Sequence, residues 1–338
     1  MRAMVLNQLT DLTKNHSPLQ LTELPEPVPA KGEILLQVTA CGVCHTELDE
    51  IEGRTPPPRL PVILGHQVVG QVAKAAGHWR EGDRAGVAWI FSACGECTYC
   101  RSGQENLCAH FRATGRDAHG GYAEYMTVPE GFAYPLPESI TDIEAAPLLC
   151  AGAIGYRSLR LANLQDGQNL GLTGFGASAH LVLKLARCQY PNSAVFVFSR
   201  SESEQVFARQ LGAVWAGGIQ DTAPEPLHSI IDTTPVWLPV LEALRNLAPG
   251  GRLVINAIRK EGHDKDVLLR LDYPAHLWME KEIKSVANVC RQDVSEFLQL
   301  AAQIPIRPET QEYPLEAANQ ALMELKNRQI HGAKVLRI

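Results

Sequence analysis

The chain is predicted to be an α/β protein of two domains, a β-rich one and a doubly wound parallel-sheet one, and three observations carry that prediction. Its 338 residues exceed what one hydrophobic core usually organises, since single cores stop growing near ~250–300 residues. The first third is built of short β-branched or alternating apolar runs punctuated by Pro and Gly. From about Gly152 the texture changes to apolar strand, Gly turn and amphipathic helix in repetition, the pattern of βαβ units on a parallel sheet.

Taken in order, the β-rich part predicts strands at 32–40 (GEILLQVTA), 68–73 and 122–128. The domain switch is placed near Cys150. Beyond it come a strand at 169–172, a helix at 177–187, a strand at 194–198, and a helix at 202–211 behind a Ser201/Glu204 capping box. A strand at 229–232, a helix at 239–247 and a strand at 252–258 follow, the last after a Pro249-Gly250-Gly251 turn. From roughly Val289 the mixed texture returns, so residues 290–338 are assigned with 1–150 to the first domain and 151–289 to the second. No repeat or low-complexity tract interrupts this plan.

Composition narrows the function classes. With 45% hydrophobic and 20% charged residues the chain is globular, and it holds no run of ~18 apolar residues to span a bilayer. The first fifteen residues mix Arg2, Asn7, Asp11 and Lys14 among apolar ones, unlike a signal peptide, and a cytoplasmic location is expected. A net charge of -6 and a pI near 6.0 give no field that attracts phosphate backbones or anionic lipid, which argues against nucleic acid and membrane as partners. Nine cysteines in such a chain read as metal ligands or reactive thiols, because the cytosol keeps thiols reduced.

Six of the nine lie between Cys41 and Cys108. Cys94, Cys97, Cys100 and Cys108 stand at spacings x2, x2 and x7, and four thiolates so close can enclose one zinc ion with no open position, as in a structural site. Four free thiols in a loop and an iron–sulfur cluster are the alternatives to that reading. Cys44, His66 and Cys150 are dispersed. Each alone reads as a buried Cys or a satisfied His, but together they form the Cys2His set of a catalytic zinc site that keeps a fourth position open. Spacing does not show that they meet.

The run Gly171-Leu172-Thr173-Gly174-Phe175-Gly176 follows an apolar strand and opens a helix, the context in which a glycine-rich turn holds a dinucleotide pyrophosphate at the helix N-terminus. Thr173 stands at the middle glycine position. At the end of the next strand an acid would bind the ribose 2′-hydroxyl of NAD. The chain offers Ser199, Arg200 and Ser201 instead, which favours NADP.

GVCHTEL, LGHQVVG, the four-cysteine lobe, GGYAEYMTVP, PLLCAGAIGYRSL and the glycine-rich turn occur in the order seen in medium-chain zinc alcohol dehydrogenases, and the chain resembles that family nearly end to end, most of all its bacterial and yeast-type branch. The resemblance implies a GroES-like β-rich catalytic domain joined to a Rossmann domain. It puts Cys44, His66 and Cys150 on a catalytic zinc and Cys94, Cys97, Cys100 and Cys108 on a structural one, with Cys41 in a packing role. Thr46 matches the hydroxyl that bonds the substrate oxygen and begins a proton relay, and His45 a residue facing the cofactor. Glu47 matches an Asp that orients the ligand His. Gln67 departs from the family's Glu behind the zinc, and Asp49 stands where some relatives place a relay His. Trp89 resembles an aromatic that narrows the substrate pocket.

The function expected is hydride transfer between a small alcohol or aldehyde and NAD(P), with two Zn2+ per chain and a homo-oligomeric assembly, dimer or tetramer. Three readings compete. A polyol or glutathione-linked formaldehyde dehydrogenase would share fold and metals, a quinone-reductase-like relative would share the fold without zinc, and a zinc-ribbon binding module would explain only the cysteine lobe.

Overall fold

Alternating burial along the early strands folds the N-terminal part into antiparallel sheets. In Glu33–Val43, Ile34, Leu36, Val38 and Ala40 turn inward, and the strand sits at the centre of a seven-stranded sheet. It pairs antiparallel with Val68–Lys74 and Tyr125–Pro129, and with Ala333–Arg337 from the far end of the chain. The computed structural model describes residues 1–304, 306–327 and 332–338. Two units result, one formed by Met1–Ala153 with Asn288–Ile338 and the other by Ile154–Ala287.

The second unit is a six-stranded parallel sheet. Its order is Trp215–Gly217, Val195–Phe198, Leu170–Thr173, Leu227–Asp232, Leu247–Ile255, Glu282–Ser285. Leu170–Thr173 and Val195–Phe198 are buried along their whole length, as expected of strands covered on both faces. The chain winds outward from Leu170–Thr173 in one direction and then, starting with Leu227–Asp232, in the other. The order therefore reverses beside the glycine-rich turn, where doubly wound sheets bind ligands at the carboxyl ends of their strands.

The α/β class read from sequence is the one observed, with local departures. A helix, His45–Ile51, begins directly after Cys44. The Pro249-Gly250-Gly251 turn is instead a bulge inside Leu247–Ile255. Leu247 pairs with Leu227 and Arg252 with Ser229, and Gly250 takes φ +69° in the excess segment. Only half of the Ser201/Glu204 capping box forms: Ser201 Oγ accepts the Glu204 N–H at 3.5 Å, but the Glu204 carboxylate is engaged by Ser199 Oγ and does not return to the Ser201 N–H. The edge strands Trp215–Gly217 and Glu282–Ser285 carry too few buried apolar residues to announce themselves.

One buried network ties the C-terminal strands to their helix. Lys334, only 1% exposed, donates to Glu324 Oε2 at 2.6 Å and to Tyr313 Oη at 2.7 Å. The Lys334 bond, aided by Tyr313 and Gln320, holds the Glu324 carboxyl down at about 2. A carboxyl depressed from an unfolded value of about 4.3 stabilises the fold above that value, and this contribution is lost as pH falls from about 5 to about 2. Glu324→Gln should therefore melt below the parent at pH 7, with about half of that gap left at pH 3. An equal gap at both pH values would show that this pair adds no pH-dependent stability.

Candidate functional site

Helix His45–Ile51 starts where Cys44, in extended backbone, caps it. Glu47, in the first turn, returns Oε2 to the Cys44 N–H at 2.8 Å and closes the cap. Its other oxygen lies 2.6 Å from His66 Nδ1. A carboxylate can only accept, so Nδ1 carries the proton and Nε2 is left with its lone pair free to ligate. Glu47 is fully buried and His66 is 1% exposed. Burial by itself would depress the imidazole, yet Glu47 overrides it and raises the His66 value well above the usual one, so a cation binds at Nε2 by displacing a proton.

His66 follows Gly65, whose φ of +95° a side chain rarely adopts and whose Cβ would fall 2.4 Å from the Tyr122 ring. Cys150 arrives on a third element. Pro147 interrupts the helix Asp142–Pro147, and the chain widens into a π-turn, Leu148–Gly152, before continuing as Ala153–Ala162. Cys150 sits in that turn, with Phe297 of helix Arg291–Gln303 closing against Gly152.

These three elements bring the donor atoms of Cys44, His66 and Cys150 within 4.8 Å of one another, with His66 Nε2 3.2 Å from Cys150 Sγ. Two sulfurs and one nitrogen suit zinc. The Cys44 thiol is drawn well below its ordinary value, by the Cys150 thiol first and by His66, so a thiolate is available to a cation. Cys41, by contrast, points its sulfur at Gly65 and Gly121 and stays outside the set.

The lobe from Cys94 to Cys108 gathers four sulfurs, with Cys94 to Cys100 at 3.8 Å and both Cys97 to Cys100 and Cys108 to Cys94 at 3.5 Å. A tetrahedron with Zn–S bonds of ~2.3 Å has edges of roughly 3.8 Å, so one ion fits, whereas a four-iron cluster would spread the thiolates over separate irons. The backbone N–H groups of Glu96 and Cys97 pull Cys94 down to about 6, and burial pushes Cys100 up to about 12. Glu105 within the lobe pairs with Arg291 at 2.8 Å and fastens the lobe to helix Arg291–Gln303.

Thr46 is half-buried with Oγ1 3.6 Å from Cys44 Sγ, while His45 is exposed at the first helical position. Asp49 is paired with Arg54. Gln67 is buried and lies against Gly42. Trp89 packs on Phe111 with ring centroids 5.3 Å apart, under the Arg116 guanidinium at 5.5 Å, and its indole N–H has no hydrogen-bond partner among the described residues.

In the second unit the glycine-rich turn leaves strand Leu170–Thr173 and opens helix Ala177–Gln189. Gly174 has φ +76° and donates its N–H to Phe198 O at 2.9 Å. Gly176 caps the helix without a side-chain bond and with open space where a Cβ would stand, so the first-turn N–H groups remain available to a phosphate. Phe175 packs edge-on against Phe207 at 5.9 Å. Ser199 is 1% exposed, and Arg200 is exposed at the strand end.

Sequence reasoning missed three carboxylates. Glu50, three residues after Glu47 on the same helix face, is 1% exposed, and neither of its side-chain oxygens has a hydrogen-bond partner among the described residues; burial, then Glu47, push it well above the usual range. Its spacing from Glu47 was the available signal. Asp232, fully buried at a strand end, accepts from Thr173 Oγ1 at 2.7 Å and from Thr234 Oγ1 at 2.8 Å, and it pairs with Lys260. An acid closing the apolar run Leu227–Asp232 was the signal there. Glu204 was read only as a cap.

The Glu47–His66 pairing generates a prediction. Glu47→Gln should weaken metal at the Cys44 centre by about 10- to 100-fold in chelator competition, while the four-cysteine lobe keeps its ion. Equal loss from both would show that Glu47 acts on the fold and not on His66.

Comparison with known proteins places this geometry. The family described as "Alcohol dehydrogenase GroES-like domain" matches residues 30–138. The chain is similar to "Probable alcohol dehydrogenase AdhA" of Mycobacterium tuberculosis (strain CDC 1551 / Oshkosh), 45% identical over 95% of this chain and 93% of that one. It is 30% identical to an "Alcohol dehydrogenase" of Geobacillus stearothermophilus over 100% of this chain and 99% of that one. The solved structure of AibC superposes with a TM-score of 0.89 at 27% identity, covering 100% of this chain and 95% of that one. Similarity of this extent, together with the two donor sets and the parallel sheet, establishes that the chain belongs to the medium-chain alcohol dehydrogenase family.

Proposed function

We propose that the chain is a zinc-dependent alcohol dehydrogenase that interconverts alcohols with aldehydes or ketones, using NAD(P). The observation that carries this reading is the contrast between the two donor sets: three protein donors, Cys44, His66 and Cys150, leave a position for a substrate oxygen, whereas the four cysteines of the lobe leave none. When bound, zinc supplies Lewis acidity at the first set and cross-linking at the second, and the nicotinamide supplies the hydride chemistry.

The chain's own residues do the rest. Glu47 keeps His66 in its ligating tautomer. Thr46 Oγ1, beside Cys44 Sγ, holds the substrate hydroxyl and accepts its proton while passing its own on toward the cofactor ribose. Asp49 is paired with Arg54, and exposed His45, next to Thr46 in the chain, is the onward step to solvent. Gln67, neutral where the family has a carboxylate, packs against Gly42 behind His66. Trp89 and Phe111 give the substrate an apolar wall. Gly171, Gly174, Phe175 and Gly176 offer backbone to the pyrophosphate, and Arg200, next to Ser199 at the strand end, tips the preference toward NADP.

A cytoplasmic location is supported by nine free cysteines, and no helix among the described residues is long and apolar enough to cross a membrane. A homo-oligomer is supported by the edge strand Glu282–Ser285, where Ile283 is 48% exposed, and by the exposure of Tyr273, Trp278 and Met279 in the segment leading to it.

Purified protein should carry about two zinc ions per chain and change absorbance at ~340 nm with a panel of primary alcohols and aldehydes. Iron in place of zinc, or turnover only with polyols or with glutathione adducts, would overturn the reading. Cys44→Ala should abolish turnover with the melting temperature nearly unchanged, and Cys97→Ala should lower the melting temperature, because a closed site contributes folding free energy. The opposite pairing of effects would reverse the two assignments. Arg200→Ala should cost about 10- to 100-fold in kcat/KM with NADP and leave the value with NAD nearly unchanged. Equal values for parent and variant would make Arg200 a bystander.

A further inference from the structure

The end of strand Val195–Phe198 lacks an acidic residue of its own, but a carboxylate reaches it from outside the strand. Glu204, in the first turn of helix Glu202–Gln210, accepts a hydrogen bond from Ser199 Oγ. That hydroxyl also receives the Ser201 N–H at 3.3 Å, and the Ser199 carbonyl takes Gln205 Nε2 at 2.8 Å, so the strand end and the helix start are laced into one piece. Ser199 is 1% exposed and its hydroxyl is committed, so it has no donor to spare for a phosphate. Glu204 is half-buried, and among the described residues no partner beyond Ser199 engages its side chain.

Two contacts put this carboxylate beside the dinucleotide turn. Gly174 donates its N–H to Phe198 O, the residue before Ser199, and Phe207, one helical turn after Glu204, packs on Phe175 of the turn itself. In a doubly wound sheet the adenine ribose lies at the end of this strand. A carboxylate has only acceptors to offer. It satisfies the donor of a 2′-hydroxyl and opposes the charge of a 2′-phosphate. Arg200, exposed in the same loop, carries the opposite preference.

We propose that Glu204 is the residue that keeps NAD in use: seated on Ser199, its carboxylate takes the ribose 2′-hydroxyl of NAD and repels the 2′-phosphate of NADP, against the pull of Arg200. The inference rests on the reading of this unit as the NAD(P)-binding one. Glu204→Gln preserves the shape and the acceptor for Ser199 Oγ and removes only the charge.

The test is the dissociation constant of NADH and of NADPH, read by fluorescence titration of the full-length zinc-loaded protein without substrate, in the parent, Glu204→Gln and Glu204→Ala. Both variants should shift the ratio of the two constants toward NADPH by about 10- to 100-fold, with NADH loosened and NADPH tightened. Should one variant fail to fold, the other reads the same ratio. A ratio within twofold of the parent, or equal loosening of both cofactors, overturns the role of Glu204 and leaves the cofactor reading standing. A parent that binds neither dinucleotide overturns the cofactor reading itself.

Discussion

The donor set of Cys44, His66 and Cys150 depends on one buried carboxylate used twice. Glu47 has no access to solvent, and keeping a carboxylate charged there is costly unless its oxygens are engaged. One oxygen holds the amide that begins helix His45–Ile51, which sets the direction of the Cys44 thiol, and the other fixes the ring of His66. A local device of helix capping thereby becomes a long-range brace between two donors separated by twenty-odd residues of chain. Cys150 is placed by different means, through a proline that forces the helix to widen.

The parallel-sheet unit repeats the principle with another acid. Asp232 joins Thr173 in the glycine-rich turn to Thr234 and Lys260 in the neighbouring loop. The departure at Thr173 thus has a physical account: a hydroxyl there finds a buried acceptor in the next strand, stiffening a turn that a fourth glycine would have left more mobile.

Much of this was legible in the sequence, and the reason is that it was written in short-range chemistry. The cysteine lobe is closed by residues within a dozen or so positions of each other, and strands such as 194–198 declare themselves by unbroken apolar runs. What stayed hidden depended on direction and partnership. The period of a helix shows that Glu50 shares a face with Glu47, but not that the face is interior; the pattern at Ser201 and Glu204 shows a possible cap, but not that a buried serine competes for the same carboxylate. Strand Glu282–Ser285, exposed at every position, has no burial pattern to read.

Strand Ala333–Arg337 completes the sheet around Glu33–Val43, and Phe297 backs the turn that carries Cys150. During synthesis the chain therefore delivers Cys44, His66 and Cys150 long before the segment that supports them. The intervening parallel-sheet unit has all its strands in hand first, and it can fold while the β-rich unit still waits with an unfinished sheet and unbraced thiols. The three donors of the Cys44 set are consequently braced late in the life of the nascent chain. The four-cysteine lobe, local in sequence, is under no such delay.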